Sequence, residues 1–183
     1  VLGPNVRFHH SKLNFKWPKS FEQIHWHQDI QFWPHTDFTP LTIGIYLDDV
    51  SQEMGPMGVL PGSHNGPLHD LYATDGSWAG ALNDQVVETL DMDKIKWLQG
   101  PAGSATIHNC CLIHGSMPNT GDRTRPLLLQ TYSAEGSYPI SGIGANGVTG
   151  AKSGTIIGGS PRQTLEIGGR AMHGAPDWSR QGA

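Results

Sequence analysis

Two short stretches of the chain carry residues that could bind a metal ion. His27 and Asp29 lie two positions apart, so on a β-strand both side chains would point to the same side. The third ligand must come from elsewhere, and His114 is the best candidate. Two imidazoles and one carboxylate on one side of an ion form the facial triad of non-haem iron oxygenases, which leaves positions for substrate and O2. The sequence therefore predicts an Fe(II) site.

The prediction gains weight from an arginine downstream of the third ligand. Arg125 stands at the eleventh position after His114. A guanidinium group binds a carboxylate through two parallel hydrogen bonds, so Arg125 could hold an acidic co-substrate beside the metal. Two alternatives stay open. Arg123, two residues before Arg125, could point to the same side of the chain. His108 lies six residues before His114, on the same side of a regular strand, and could be the third ligand.

Composition narrows the class of protein. The 183 residues suffice for one domain, and the net charge of −4 argues against a nucleic-acid binder. There is no apolar run of membrane-spanning length and no signal-peptide pattern at the start, so no membrane partner is expected. The two cysteines, Cys110 and Cys111, are adjacent, and neighbouring cysteines rarely form a disulfide because its geometry would be strained. An oxidising compartment is therefore not indicated, and we expect a cytoplasmic protein.

The elements that would position these residues are mostly short strands. The 24 glycines and 13 prolines suit many turns. A short helix is predicted over 84–90 with Asn83 as its N-cap, and 136–160 is predicted to be a loop, either a lid or disordered. Strands are predicted at 7–16, 22–33, 41–47, 59–60, 94–98, 104–113 and 127–132. This pattern predicts a mostly β jelly-roll with a few short helices and a loop-rich C-terminal tail.

Four pieces of the sequence resemble the phytanoyl-CoA dioxygenase family of Fe(II)- and 2-oxoglutarate-dependent oxygenases. Their order and spacing fit from about residue 7 to residue 133. The pieces are Trp26-His27-Gln28-Asp29, Leu47-Asp48-Asp49-Val50, Pro61-Gly62-Ser63-His64, and His114-Gly115-Ser116 through Arg125. The stretch Leu13-Asn14-Phe15-Lys16, with Trp33, is also similar to ectoine hydroxylase of the same superfamily.

The resemblance implies a double-stranded β-helix core, which is a cupin-like jelly-roll. It also implies hydroxylation of an unactivated C–H bond of a small metabolite, with O2 consumed and 2-oxoglutarate split to succinate and CO2. Related halogenases replace the carboxylate ligand, so Asp29 favours hydroxylation. Members usually carry a helical N-terminal segment, and because the chain begins with Val1, we expect such a segment to be missing from it.

The resemblance assigns roles to individual residues. His27, Asp29 and His114 would ligate Fe(II) and form the catalytic centre. The 2-oxoglutarate carboxylate would be held by Arg125 and Ser116, with Asn14 and Thr42 as further contacts. Trp33 and His35 would lie on the substrate side of the pocket.

We expect one dioxygenase domain over 1–183, with its core at about 7–133 and a tail over 134–183. Two other functions compete with the hydroxylase: a cupin-type metal isomerase or thiol dioxygenase, which would not need Arg125, and an inactive binding domain of the same family. The expected partner is a small-molecule substrate, and the sequence gives no oligomeric state.

Overall fold

The computed structural model describes residues 1–140, 155–159, 164–167 and 170–173. One short helix, α1 (Asp84–Thr89), accompanies eleven strands among these residues. The strands are β1 (Val6–Lys16), β2 (Ile24–His27), β3 (Leu41–Tyr46), β4 (Met57–Val59), β5 (Lys96–Leu98), β6 (Ala105–Asn109), β7 (His114–Ser116), β8 (Arg125–Ala134), β9 (Ile156–Gly158), β10 (Thr164–Ile167) and β11 (Arg170–His173).

The strands form two main antiparallel sheets with a cavity between them. The larger sheet has the order β6-β3-β8-β1-β9, and the smaller has the order β2-β7-β4-β5. Strands β10 and β11 pair with each other. The cavity is lined from both main sheets, for example by Leu127 of β8 and Met57 of β4. The jelly-roll predicted from the sequence is therefore confirmed. No helix in the described part of the chain is both long and apolar enough to cross a bilayer.

Strand β1 separates an apolar outer side from a polar inner side. Leu13 and Phe15 are exposed on the outer side. The alternate positions His10, Lys12 and Asn14 line the cavity. This follows from the two-residue period of a strand. β1 thus brings a series of hydrogen-bonding side chains to one wall of the cavity.

A β-bulge in β1 changes which side chains face inward. Phe8 pairs with Tyr132 and His10 with Thr131, so His9 is an extra residue in the strand. A bulge of this kind turns an additional side chain and is frequent beside active sites. As a result, two consecutive imidazoles reach the same region: the ring centroids of His9 and His10 lie 5.2 and 6.1 Å from that of Trp33.

Two predicted strands are shorter in the structure than the pattern indicated. The strand predicted over 22–33 ends at His27, and a 3-10 helix over Asp29–Gln31 follows it. The strand predicted over 104–113 ends at Asn109 as β6 of the larger sheet, and after a turn the chain enters β7 of the smaller sheet at His114. Apolar residues recur beyond the turn in both stretches, Ile30 and Trp33 in the first and Leu112 and Ile113 in the second, so the hydrophobic pattern does not mark the point where the chain changes direction.

The tail contains a strand that the sequence did not predict. β9 lies within the stretch 136–160, for which a loop was expected, and it pairs with Val6 and Arg7 of β1. Three residues are too few for a recognisable alternation, and pairing with the edge of the sheet supplies the order. Residues 141–154 of the predicted loop, and Trp178 near the end of the chain, lie outside the described residues.

The short helix depends on its cap. Asn83 Oδ1 accepts a hydrogen bond from Val86 N at 2.9 Å, which confirms the predicted N-cap. We expect Asn83→Ala to lower the free energy of unfolding by about 1 kcal/mol, because a backbone N–H loses its partner. Urea unfolding followed by circular dichroism measures this loss. Asn83→Ser should restore most of it, and Gln85→Ala on the exposed side of the helix is the control. Equal stability of Asn83→Ala and Gln85→Ala would contradict the assignment.

Candidate metal centre

His27, Asp29 and His114 converge at one end of the cavity. Asp29 Oδ1 lies 3.5 Å from His27 Nε2 and 3.7 Å from His114 Nε2. The three potential ligand atoms lie within 4.8 Å of one another. Ligands at about 2.1 Å from one ion, at right angles, are separated by roughly 3 Å, so only small side-chain adjustments would bring these three onto a common ion. The three residues thus fit a divalent metal ion on geometry.

Both imidazoles are oriented by main-chain carbonyl groups. His27 Nδ1 lies 2.8 Å from the carbonyl oxygen of His25, and His114 Nδ1 lies 2.9 Å from that of Leu112. A carbonyl accepts only, so each Nδ1 carries the proton and each Nε2 keeps its lone pair. These hydrogen bonds leave both Nε2 atoms, which face Asp29, ready to bind a cation.

Asp29 reaches the site from a turn and not from the strand of His27. Between them, Gln28 is fully buried, and its side chain donates to the carbonyl oxygens of Cys111 at 2.8 Å and Pro67 at 3.2 Å. Ile30 N donates to the Cys110 carbonyl at 3.0 Å. These bonds tie the turn that carries Asp29 to the turn that precedes His114. The side chains of His27 and Asp29 meet as predicted, but the single strand expected to carry both ends at His27.

His108 contacts the other oxygen of Asp29. Its Nε2 lies 3.5 Å from Asp29 Oδ2, while His27 and His114 approach Oδ1. His108 is buried, and its Nδ1 has no hydrogen-bond partner among the described residues. His108 also lines the cavity, but it approaches the carboxylate from the Oδ2 side, where it would orient Asp29. This arrangement favours His114 over His108 as the third ligand.

The charge state of the cluster suits a cation. Burial alone would raise the pKa of Asp29, but His114, His108 and His27 hold it well below its ordinary value. Burial lowers the pKa of His114 to about 3 despite the nearby Asp29 carboxylate. At neutral pH the carboxylate is therefore ionised and the His114 imidazole is neutral. These are the forms in which both groups bind metals.

Arg125 and Ser116 line the same cavity and lie on neighbouring parts of its wall. The Arg125 side chain is 4% exposed, and its Nη1 donates to the Gly55 carbonyl at 2.9 Å. Its Nε is buried with no hydrogen-bond partner among the described residues. Burying a guanidinium without an anion is costly, so an acidic ligand would relieve this charge. Arg123, the alternative, is exposed and pairs with Asp48.

Lys16 adds a second buried cation behind Ser116. Its Nζ donates to Ser116 Oγ at 2.7 Å and also to the carbonyl oxygen of Met117. Burial and the neighbouring Arg125 lower the pKa of Lys16 to about 8, so the amine remains largely protonated at pH 7. An ammonium group only donates, so Ser116 Oγ accepts here and its own proton is free for a ligand. In the sequence, the alternation of residues 12, 14 and 16 along β1 is the signal that puts Lys16 on the same side of the strand as the cavity residues Lys12 and Asn14.

The remaining predicted site residues divide into two groups. Asn14, Thr42 and Trp33 line the cavity together with the metal-binding cluster. The Thr42 hydroxyl is hydrogen-bonded to that of Thr131 at 2.8 Å. His35 is not part of the cavity wall: it is buried, and its Nδ1 donates to the Trp33 carbonyl at 2.7 Å. His35 therefore supports Trp33 from behind and does not reach the pocket.

Sequence comparison identifies a family for most of the chain. The sequence profile described as phytanoyl-CoA dioxygenase (PhyH) matches residues 2–127. A probable alpha-ketoglutarate-dependent hypophosphite dioxygenase from Stutzerimonas stutzeri is 41% identical over 148 residues, which are 80% of this chain and 51% of that protein. L-proline trans-4-hydroxylase from Streptomyces griseoviridis is 32% identical over 158 residues, with 76% of this chain and 59% of the relative covered.

Structural comparison agrees with the sequence. A crystal structure of EctD from S. alaskensis with 2-oxoglutarate and 5-hydroxyectoine superimposes with a TM-score of 0.59 at 25% identity, over 73% of this chain and 46% of that one. A non-haem monooxygenase, ThoJ, gives a TM-score of 0.64 at 19% identity over 91% of this chain and 60% of its own, and supports the fold. The chain spans roughly half the length of the curated relatives it matches.

Proposed function

The chain belongs to the phytanoyl-CoA dioxygenase family, and we propose that it acts as an Fe(II)- and 2-oxoglutarate-dependent dioxygenase that hydroxylates a small molecule. The observation that carries the proposal is the placement of two imidazoles and one carboxylate at one end of a cavity, with a buried arginine in its wall whose Nε has no hydrogen-bond partner among the described residues. Two relatives bear names of 2-oxoglutarate-dependent or hydroxylating enzymes, which supports the same reading.

Each part of the site has a role in this reaction. His27, Asp29 and His114 would hold the metal through Nε2, a carboxylate oxygen and Nε2. Together with 2-oxoglutarate and O2, bound Fe(II) supplies the oxidising chemistry, in which the substrate gains a hydroxyl group and 2-oxoglutarate becomes succinate and CO2.

The co-substrate would be oriented by other residues of the cavity wall. Arg125 and the Ser116 hydroxyl would bind the carboxylate of 2-oxoglutarate that is distal to the metal, with Lys16 holding Ser116 as a donor. Asn14 and Thr42, which line the same cavity, would be further contacts of 2-oxoglutarate. Trp33 would shape the substrate side and exclude water there.

We also propose that the enzyme works in the cytoplasm and that its substrate is a small molecule. Both cysteines are free, as is usual in a reducing compartment. The cavity volume of about 350 Å³ lies at the small end of ligand pockets and must also hold the co-substrate. A small substrate fits this room better than a long acyl chain does.

Anaerobic titration tests the proposal directly. Fe(II) added to the metal-free protein with 2-oxoglutarate should produce a weak visible metal-to-ligand charge-transfer band, and Fe(II) alone should not. Iron binding without the band would favour a cupin-type enzyme. Failure to bind any divalent metal would favour a binding domain without catalytic activity.

A further inference from the structure

We propose that the substrate is a small anion and that Lys12 receives its negative charge at the open side of the cavity. This inference rests on the proposed function, because it takes the metal and 2-oxoglutarate as the other occupants. Lys12 is exposed, lines the cavity and forms no ion pair among the described residues. Its ammonium group can therefore stay hydrated until a substrate arrives.

The residues that line the cavity next to Lys12 in the described part of the chain carry no carboxylate. Its partner on β8 is Leu129, an apolar residue that also lines the cavity. His10, two positions away on the same side of β1, lines the cavity as well. This part of the wall thus presents a cation and an imidazole beside apolar surface. An anionic ligand would complement it.

Asp29 is the one carboxylate among the described lining residues, and it is already engaged. The imidazoles of His27, His108 and His114 surround its two oxygens at 3.5, 3.5 and 3.7 Å. It could not also accept the ammonium group of a substrate without giving up these contacts. A zwitterion would therefore bring a positive charge into a cavity that has no free carboxylate to receive it.

The charge balance of the occupied site points the same way. A divalent metal and the 2-oxoglutarate dianion cancel each other. Among the described lining residues, the side chains of Lys12 and Arg125 then face only Asp29, which leaves an excess of one positive charge. Such an excess of positive charge attracts anions and opposes cations. The wall therefore discriminates by charge, in favour of anions over zwitterions and neutral molecules.

Binding of matched probes tests this inference. Acetate, acetamide and glycine have similar size but are an anion, a neutral molecule and a zwitterion, and phosphite is a smaller oxyanion. With Fe(II) and saturating 2-oxoglutarate under anaerobic conditions, we expect the anions to perturb the visible band at concentrations about tenfold lower than the other two, the effect of one charged hydrogen bond. Lys12→Met should abolish the preference, and Lys12→Arg should restore it. Lys96→Met, an exposed lysine of β5 outside the cavity, is the matched control.

The outcomes separate this inference from the proposed function. If no band forms with the wild-type protein, the proposed function fails, and calorimetric titration of the same probes into Zn(II)-loaded protein still measures the preference. A band that responds equally to glycine, acetamide and acetate overturns the anion assignment. A preference that persists in Lys12→Met overturns the role of Lys12, because the anion would then be held at the metal or at Arg125.

Discussion

Replacement of His114 by alanine should abolish tight metal binding. The variant loses one of three ligands, and the remaining pair, His27 and Asp29, offers only two. Because even residues that merely orient a ligand contribute about 10- to 100-fold to metal affinity, we expect the affinity for Fe(II) to fall by more than about 100-fold. Anaerobic Fe(II) titration gives the affinity, and circular dichroism establishes that the variant is folded.

Two further variants show whether His114 or His108 is the third ligand. His108→Ala should lower the affinity by about tenfold, since His108 contacts Asp29 Oδ2 and would act only by orienting that carboxylate. His64→Ala, at an exposed position in a 3-10 helix, should bind iron as the wild type does. A larger loss in His108→Ala than in His114→Ala would reverse the assignment and make His108 the ligand.

Replacement of Arg125 by alanine should remove 2-oxoglutarate binding while leaving Fe(II) binding intact. Truncating one member of a buried charged pair costs about 2–5 kcal/mol, so the dissociation constant for 2-oxoglutarate should rise by about 30-fold or more. The visible band measured against 2-oxoglutarate concentration gives this constant. Fe(II) affinity, measured without 2-oxoglutarate, reports separately on the metal ligands.

The exposed Arg123 provides the control for this variant. It pairs with Asp48 outside the cavity, so Arg123→Ala should bind 2-oxoglutarate normally. Arg125→Lys should be intermediate, because an ammonium group keeps the charge but loses the planar two-point contact. Weak binding in Arg123→Ala with normal binding in Arg125→Ala would show that the wrong arginine of the pair has been chosen.

The sequence predicted the members of the site better than the backbone that carries them. His27, Asp29, His114 and Arg125 were selected by residue type and spacing, and the structure gathers all four around one cavity. The strand expected through Asp29 was wrong, because the direction of the chain there is set by hydrogen bonds from Gln28 and Ile30 to the turn at Cys110 and Cys111. Such long-range contacts leave no periodic signal in the sequence.

For His35 and Lys16, the position in the sequence does not indicate the surroundings of the side chain in the structure. His35 is close to Trp33 in the chain and was expected in the pocket, yet it supports Trp33 from behind. Lys16 was noted only as part of a motif, although it is buried against Ser116. Burying a lysine runs against its usual preference, so residue type alone would place Lys16 on the surface. The division into a core at about 7–133 and a tail remains a prediction.

The pairing of β1 with β8 also bears on how the protein folds. Lys16 and Ser116, which meet in the cavity wall, are 100 positions apart in the chain, and β1 joins its partner strand through residues as distant as Phe8 and Tyr132. Contacts of such high sequence separation slow folding, since the loop must close before they form. During synthesis, β1 has to wait for nearly the whole β8 strand to emerge. Until then β1, with the apolar side chains of Leu13 and Phe15, has no neighbouring strand, and such unpaired strands are prone to misassociation during synthesis.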